Sequence, residues 1–458
     1  MKSRYNFLAS GEWLVASGFK ILLILLIGIQ AAFATQSRVE SMGKRPAFFL
    51  DDITIFDNPA NATFYSSALM GELGFFDQNK TNRLQKGLNQ DPYTPWFGAL
   101  FQFSLSDKGM RDPELTIGGF FGREHYEFTR FIPRKVLPYG AGEAVPIPQT
   151  ITNFDAFLAG TTIDGSAIGA HVYVGVQDGK QDDPKSPEGG STGEISPNAH
   201  VSILSMDYGV NFLITSEASM EVTLGVARIQ YGPSRKTFLD PGLFSFYSQG
   251  RIFLDVNALS GQFITGYKVA DYEVPGWEEN FYDVNAGINV IIPRGLVWFG
   301  VDGVHIKEFV GSTWDRFEDR GDFYTVYNEP GYKDKVLKDR TDKIGGVVSF
   351  GIERNIWGNW LILRVGGQKS FIYETCHNLS GKTDKAIVCP APPNGAGNFW
   401  VTNPYGDGSL DDHVGFGIGL NIDNKLKVDA NIAEDAPFRN PIQGEGKLIS
   451  RISAVYSF

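Results

Sequence analysis

Segments in which apolar and polar side chains alternate recur along most of the chain. In residues 282–292, apolar residues occupy the even positions, and Asp283, Asn285 and Asn289 occupy three of the odd ones. Other clear cases are 97–105, 168–177 and 414–423. Successive side chains of a strand point to opposite sides, so each segment predicts a strand with one apolar and one polar face. A length of about ten residues lets a tilted strand cross the hydrocarbon layer of a membrane.

The connections between these segments alternate in length. The predicted long ones are 77–95, 123–151, 178–199, 232–249, 269–280, 308–342, 372–411 and 434–446. The predicted short ones are 107–112, 164–165, 215–218, Ser260, 293–295, 355–358 and 423–424. Bacterial membrane barrels have short turns at one rim and long loops at the other. We therefore predict an all-β protein, a closed antiparallel transmembrane β-barrel of about 14–16 strands. The lower number applies if two of the weak segments 64–76, 113–122 and 152–163 are not strands.

Composition agrees with this fold without deciding it. Aromatic residues make up 13% of the chain and glycine contributes 53 of 458 residues, which suits a barrel or a large soluble β-protein. Beyond residue 34 no apolar run is long enough for a membrane-spanning helix. The net charge of -11 argues against nucleic acid as a partner, because phosphate binding needs clustered basic residues.

The N-terminus predicts export. Basic residues precede the apolar run 21–29, and the stretch 32–34 (Ala-Phe-Ala) fits a small-x-small cleavage site. The alternative is an uncleaved anchor helix, for which the apolar run is short. We predict three parts: a signal peptide at 1–34, an N-terminal segment at 35–63 and the barrel at 64–458.

The last residues, which include Tyr456 and Phe458, alternate in the same way as the other predicted strands. This ending resembles the C-terminal signature of bacterial outer-membrane β-barrels, which the barrel-assembly machinery reads. The resemblance implies a location in the outer membrane, with membrane lipid and that machinery as partners. It also implies a periplasmic C-terminus, which places the long connections outside the cell.

Cys376 and Cys389 are the two cysteines of the chain and lie in a polar stretch rich in proline and glycine. In an exported protein this arrangement predicts a disulfide, with a stabilisation of about 3 kcal/mol. The neighbouring His377 adds too few ligands for a zinc site. The sequence therefore predicts no bound metal and no cofactor.

The start of the mature chain carries a second resemblance. Its motif consists of Arg38, Met42, Gly43, Asp51, Asp52, Asn58, Pro59 and Ala60. The order resembles the start of the long-chain fatty-acid transporter family of outer-membrane barrels and of related type IX secretion barrel proteins. In that family, whose barrel has about 14 strands, the segment plugs the lumen. This chain has Lys44, Arg45 and Pro46 where the family has small residues. The alternative is a first strand and turn at the periplasmic rim.

The polar faces of the predicted strands supply candidates for the lumen wall. These candidates are His171, Asp283, Asn285, Asn289, Asp302, Glu353, Arg364, Gln368, Lys427, Asp429 and Arg451. Charged groups facing water tune the selectivity of a pore. Alternatively, they pair with one another and with the plug and contribute only stability.

Three functions remain after catalysis is set aside. No Gly-x-Ser-x-Gly elbow is present, and the six histidines have neither metal nor triad spacing, so we predict no enzyme and no catalytic residue. The first function is a channel or passive transporter for hydrophobic or small polar solutes. The alternatives are a non-conducting secretion-accessory scaffold and a surface adhesin that binds a partner through its long loops.

Overall fold

The computed structural model describes most of the predicted barrel and the segment before it. The described residues are 36–49, 51–65, 67–74, 95–105, 113–129, 131–132, 135–138, 145–146, 152–162, 165–178, 200–232, 243–257, 260–274, 277–311, 315–317, 322–324, 326–327, 337–356, 360–378, 396–401, 412–423, 425–432 and 449–458. The predicted signal peptide lies outside them, and so does Cys389, so the signal and the disulfide stay predictions.

Antiparallel strands form one large sheet. In chain order they are β1 (Ala68–Gly74), β2 (Trp96–Ser104), β3 (Glu114–Phe121), β4 (Thr152–Thr161), β5 (Ala167–Asp178), β6 (His200–Thr215), β7 (Ala218–Gly232), β8 (Ser245–Val256), β9 (Gly261–Val274), β10 (Trp277–Ile292), β11 (Gly295–Gly311), β12 (Leu337–Ile356), β13 (Leu361–Asn378), β14 (Ala396–Val401 with His413–Ile422), β15 (Leu426–Ile432) and β16 (Ile449–Ser457). Both pieces of β14 pair with β13, so the 17 paired segments make 16 strands.

The sheet closes on itself. β1 pairs with β2 on one side and with β16 on the other, where Ala68 lies opposite Ser457. A closed sheet has no free edge and satisfies the backbone groups of every strand internally. The predicted closed antiparallel barrel is confirmed, and its strand number is 16. The weak segments contain β1, β3 and β4.

Large apolar side chains cover the outside of the barrel. Phe97, Leu158, Leu224, Val284 and Ile344 are each more than half exposed. Residues next to them in sequence are largely buried, as alternation requires. An apolar surface of this extent is a hazard for a soluble protein but is the lipid-facing band of a membrane barrel.

One predicted long connection is wrong. Instead of a loop at 269–280, β9 continues to Val274 and β10 begins at Trp277, and these two residues pair with each other. The alternation continues through this extension, with Tyr272 buried and the neighbouring Asp271 exposed. Charged residues on the outer face interrupt the apolar pattern of this stretch, and for that reason the sequence predicts a loop. The strands at 308–342 and 372–411 also extend further than predicted, as far as Gly311 and Asn378.

The remaining elements are short. The α-helices are Gln36–Ser41 and Tyr126–Thr129, and the 3-10 helices are Pro46–Phe48, Asp52–Ile55 and Pro59–Phe64. Short strands outside the barrel sheet are Lys135–Pro138, Val145–Pro146, Asp315–Phe317, Asp322–Tyr324 and Val326–Tyr327. Within the described residues, no helix has the length and apolar character needed to span a membrane.

Residues 36–65, called the N-terminal segment below, form helical turns and loops. The helix Gln36–Ser41 contacts β13 to β16, the turn Pro46–Phe48 contacts β9 to β11, and the turn Pro59–Phe64 contacts β3 to β6. Met42 and Ile55 are fully buried. The segment thus meets strands from widely separated parts of the wall.

Candidate functional site

Glycines on the inner face of the wall make room for the N-terminal segment. A Cβ atom added to Gly300 would overlap the ring of Phe48, and one added to Gly366 would overlap the backbone of Met42. The same holds for Gly209, where it would overlap the side chain of Asn58. Close approach of two backbones is a usual reason for glycine within a strand. The wall is therefore shaped to fit this segment.

An ion-pair network ties Arg38 to the wall. Its guanidinium Nε lies 2.9 Å from an Oε of Glu353, and an Nη lies 3.0 Å from an Oδ of Asp51. Arg364 lies 2.6 Å from both Glu353 and Asp429. Burial, only partly offset by the attraction of Arg38, raises the pKa of Asp51 to about 7. When Asp51 is protonated, the cations Arg38 and Arg364 balance the carboxylates of Glu353 and Asp429, and the network carries no net charge.

A second ion-pair group centres on Arg451. Its guanidinium lies 3.1 Å from carboxylate oxygens of both Glu40 and Glu72. The side chain of Asn431 donates to Glu40 at 3.3 Å, and the ring of His413 lies 2.7 Å from the Glu40 carbonyl oxygen. Sequence reasoning missed Glu40 and Glu72, because nothing in the chain order pairs them with the C-terminal strand.

A third group holds the middle of the N-terminal segment. Arg45 lies 3.4 Å from Asp302 and 4.0 Å from Asp283. The amide of Asn289 donates to the Phe48 carbonyl oxygen at 3.2 Å. From the sequence, Arg45 is only a departure from the family pattern, whereas in the structure it lies beside two predicted lumen residues.

The other predicted residues lie in varied surroundings. Asn58 caps the turn that contains Pro59 and Ala60, accepting a hydrogen bond from the Ala60 amide at 3.0 Å, and it donates to the wall at 3.2 Å. Burial raises the pKa of Asp52, although Lys427 acts in the opposite direction. Lys427 is exposed. Asn285 and Gln368 are buried.

A second element packs against the inner wall near the long-connection rim. It comprises residues 123–129 and 131–132, called the inner loop below. Its Phe128, Phe131 and Ile132 are buried. They join an apolar cluster formed with wall residues Tyr173, Val201, Ile203, Ala227, Ile229, Tyr231, Ala270, Tyr272, Val274, Phe281, Val304, Ile306, Val347 and Ile372. No sequence pattern predicts this element, because its apolar residues are too few to show a period.

Arg123 joins the inner loop, the wall and the N-terminal segment. It donates to both carboxylate oxygens of Asp155, at 2.5 and 3.1 Å, and its guanidinium carbon lies 4.0 Å from the centre of the Phe56 ring. Beyond Asp155, the two ring nitrogens of His171 lie 2.8 Å from Asp155 and 2.7 Å from Asp207. His171, a predicted lumen residue, is thus held between two carboxylates.

A cavity of about 270 Å³ lies between the N-terminal segment and the inner loop. Its lining consists of Val39, Lys44, Pro46, Ile53, Phe56, Asp57, Arg123, His125, Glu127, Asp207, Tyr247, Gln249 and Lys268. Burial lowers the pKa of His125 well below its usual range, so this imidazole is neutral. No group of three or more His, Cys, Asp or Glu side chains with metal-binding geometry occurs among the residues that the structure describes.

No protein-family model and no curated protein matches the sequence. Among solved structures, CdiB from Escherichia coli matches over 86% of this chain at 8% identity and a TM-score of 0.39. The chain spans 62% of the length of CdiB. The deltaS2 mutant of the TodX monoaromatic hydrocarbon channel matches over 92% of this chain and 98% of its own, at 11% identity and a TM-score of 0.35. The ferric-catecholate import receptor Fiu from E. coli K12 matches over 85% and 81%, at 7% identity and a TM-score of 0.28.

These three structures are outer-membrane β-barrel proteins. The closed sheet and its apolar exterior, which are properties of this chain itself, agree with a place in an outer membrane. The resemblance to fatty-acid transporters stays a prediction.

Proposed function

We propose that this protein is a passive transporter of the bacterial outer membrane, through which small solutes cross by way of the barrel lumen. The observation that carries the proposal is the cavity of about 270 Å³ between the N-terminal segment and the inner loop. Protein interiors are close-packed. A solute-sized cavity with converging polar groups is the usual form of a binding site.

The surroundings of the cavity favour a solute with an apolar body. The cluster that includes Phe128 and Tyr272 lies on the same inner loop and wall that border the cavity. A solute that enters from the long-connection rim would pass these apolar groups before it reaches the cavity. This direction of entry assumes that the long connections are extracellular and the C-terminus periplasmic, as predicted from the sequence.

We assign the N-terminal segment the role of a plug. Arg38, Glu40 and Arg45 each form an ion pair with the wall. Breaking a buried ion pair by removing one partner is strongly destabilising, by about 3–5 kcal/mol. The segment therefore stays seated in the resting protein and limits the size of any open path.

Conductance in planar bilayers tests the proposal. The intact protein is compared with a variant that lacks residues 36–65, and with Arg38→Gln, which weakens the plug but keeps the segment. The matched control is Arg294→Gln, at an exposed turn residue. Unheated gel migration faster than that of the boiled sample checks that each variant is folded.

We expect low conductance for the intact protein and the control, and higher conductance for Arg38→Gln and for the deletion variant. Zero conductance in every folded form, together with no solute uptake into protein-containing vesicles, would exclude transport. That result would favour the alternative, a non-conducting scaffold or adhesin. That alternative is supported by the close fit of the N-terminal segment against Gly300 and Gly366.

A further inference from the structure

We infer that the cavity binds a small solute that carries an ammonium or similar cationic group, and that Asp57 is its ionic partner. The inference rests on the proposed function in so far as the bound solute is also the transported one. It deepens that function by naming the class of solute.

Of the carboxylates that line the cavity, that of Asp57 alone has no hydrogen-bond or ion-pair partner among the described residues, since Glu127 pairs with Lys268 and Asp207 is bound by Tyr247. Its backbone oxygen accepts a hydrogen bond from the amide of Gln249 at 2.5 Å, which fixes the residue in place. Among the described residues, no hydrogen bond or ion pair reaches its carboxylate. Burial raises the pKa of Asp57, because nearby cations only partly offset the loss of hydration. A cation within hydrogen-bond distance would reverse this penalty.

The neighbouring charges at the cavity are already engaged. Lys268 lies 2.6 Å from Glu127. Lys44 also has an interaction of its own. Arg123 is bound to Asp155 through both of its carboxylate oxygens. Arg251, which together with Lys268 partly offsets the effect of burial on Asp57, is paired with Glu221. In the described part of the chain, none of these cations forms an ion pair with Asp57 itself.

The charge of Asp207 is balanced as well. The hydroxyl of Tyr247 donates to one of its oxygens, and a ring nitrogen of His171 lies 2.7 Å from the other. The second ring nitrogen lies 2.8 Å from Asp155. A neutral imidazole has one N–H and cannot donate to two carboxylates, so the group holds a second proton, either on the ring or on one of the two carboxyl groups. With that proton, Arg123, His171, Asp155 and Asp207 together carry no net charge.

Size and lining select the rest of the solute. An apolar cavity of about 150 Å³ holds one benzene molecule, so a cavity of about 270 Å³ has room for a single ring with a short substituent. Val39, Ile53 and Phe56 supply apolar contacts, and Tyr247 supplies an aromatic ring. Aromatic rings attract cations as well as apolar groups. A primary amine on one aromatic ring satisfies both requirements.

Binding to the full-length protein in detergent tests the inference. The probes are benzylamine, neutral benzyl alcohol and anionic benzoate, each titrated by calorimetry. The variants are Asp57→Asn and the control Asp423→Asn, which changes an exposed turn carboxylate at a positive φ that asparagine tolerates. Asp57→Glu retains the charge and is tested for rescue.

We expect benzylamine to bind more tightly than the other two probes, and Asp57→Asn to weaken it by about 30-fold or more. Asp423→Asn should bind like the parent, and Asp57→Glu should retain part of the affinity. The inference is overturned if benzyl alcohol or benzoate binds as tightly as benzylamine to the parent protein. That comparison needs no variant and holds even if Asp57→Asn fails to fold.

Flux and binding separate the two proposals. If benzylamine binds through Asp57 but neither conductance nor uptake appears, the binding site stands and transport fails. If solutes cross the barrel while benzylamine fails to bind, transport stands and the cationic solute is excluded.

Discussion

Phe48 is the side chain whose removal should loosen the N-terminal segment most clearly. Its ring is fully buried and stacks on Trp298 with ring centres 5.3 Å apart. It also lies over Gly287 and Gly300, where an added Cβ would overlap the ring. Replacing a buried phenylalanine by alanine destabilises by about 3–5 kcal/mol. Phe48→Ala should weaken the seating of the segment by that amount.

The wall side of the same contact gives a second perturbation. Gly300→Ala places a methyl group against the Phe48 ring, and overpacking of this kind destabilises by about 1–3 kcal/mol. In the double variant the methyl group enters space that the ring has left. The combined loss should therefore be smaller than the sum of the single losses by about 1 kcal/mol or more.

Proteolysis of the folded protein measures the seating. Trypsin cleaves after Arg38 or Lys44 only when the segment has left the wall, and the rate follows the population of that open state. Each factor of ten corresponds to about 1.4 kcal/mol. Phe48→Ala should accelerate cleavage by roughly 10²- to 4 × 10³-fold. The control is Phe299→Ala, which removes an exposed ring from the outer face beside Gly300.

Two results would refute this reasoning. One is a cleavage rate in Phe48→Ala that matches the control, since the ring would then contribute nothing to seating. The other is strict additivity of Phe48→Ala and Gly300→Ala, since the two residues would then not touch. Either would mean that the segment is not held against the wall at Gly300.

Three further predictions concern charge and assembly. Arg38→Met leaves Asp51 and Glu353 without their shared cation and should raise the same cleavage rate by an amount equivalent to about 3–5 kcal/mol; a change below a factor of ten would contradict it. The pKa of Asp51 is about 7 in the seated segment, above its ordinary value of 3.8. The protonated carboxyl group therefore stabilises the seated segment fully below about pH 4, and this stabilisation is lost as the pH rises through about 7. The denaturant midpoint of segment release, followed by tryptophan fluorescence, should fall over this interval, and Asp51→Asn should remove the trend. Phe458 is exposed, and its ring centre lies 6.0 Å from that of Phe101. Phe458→Ser should lower the amount of barrel assembled in cells, while the denaturant midpoint of the protein that does assemble stays unchanged.

The barrel was predictable because a membrane strand has lipid on one side. That requirement enforces the alternation, and it places Phe97 outside and Asp283 inside without any knowledge of the partners. Where strands extend past the apolar band, their outer side chains do not contact lipid and need not be apolar. Asp271 is exposed on the outer face of such an extension, which is why the loop predicted at 269–280 is in fact strand.

The contacts inside the barrel were not predictable in the same way. Arg38 and Glu353 are 315 positions apart, and only closure of the sheet brings them together. The group around His171 did leave a signal, because His171 and Asp207 face each other directly in neighbouring strands. A register-based search for opposite charges on inner faces would have found that pair. Arg123, which comes from a loop, would still have been missed.

Three carboxyl groups of the N-terminal segment lie close in sequence but differ in their partners. Asp51 has Arg38, and Asp52 lies within the electrostatic influence of Lys427. Asp57 lies within the electrostatic influence of Arg251 and Lys268 but forms no ion pair among the described residues, and burial raises the pKa of all three. A carboxyl group that is withdrawn from water without an ion pair destabilises the fold in which it lies. Its presence at the wall of a solute-sized cavity is best explained if the missing cation arrives with a ligand.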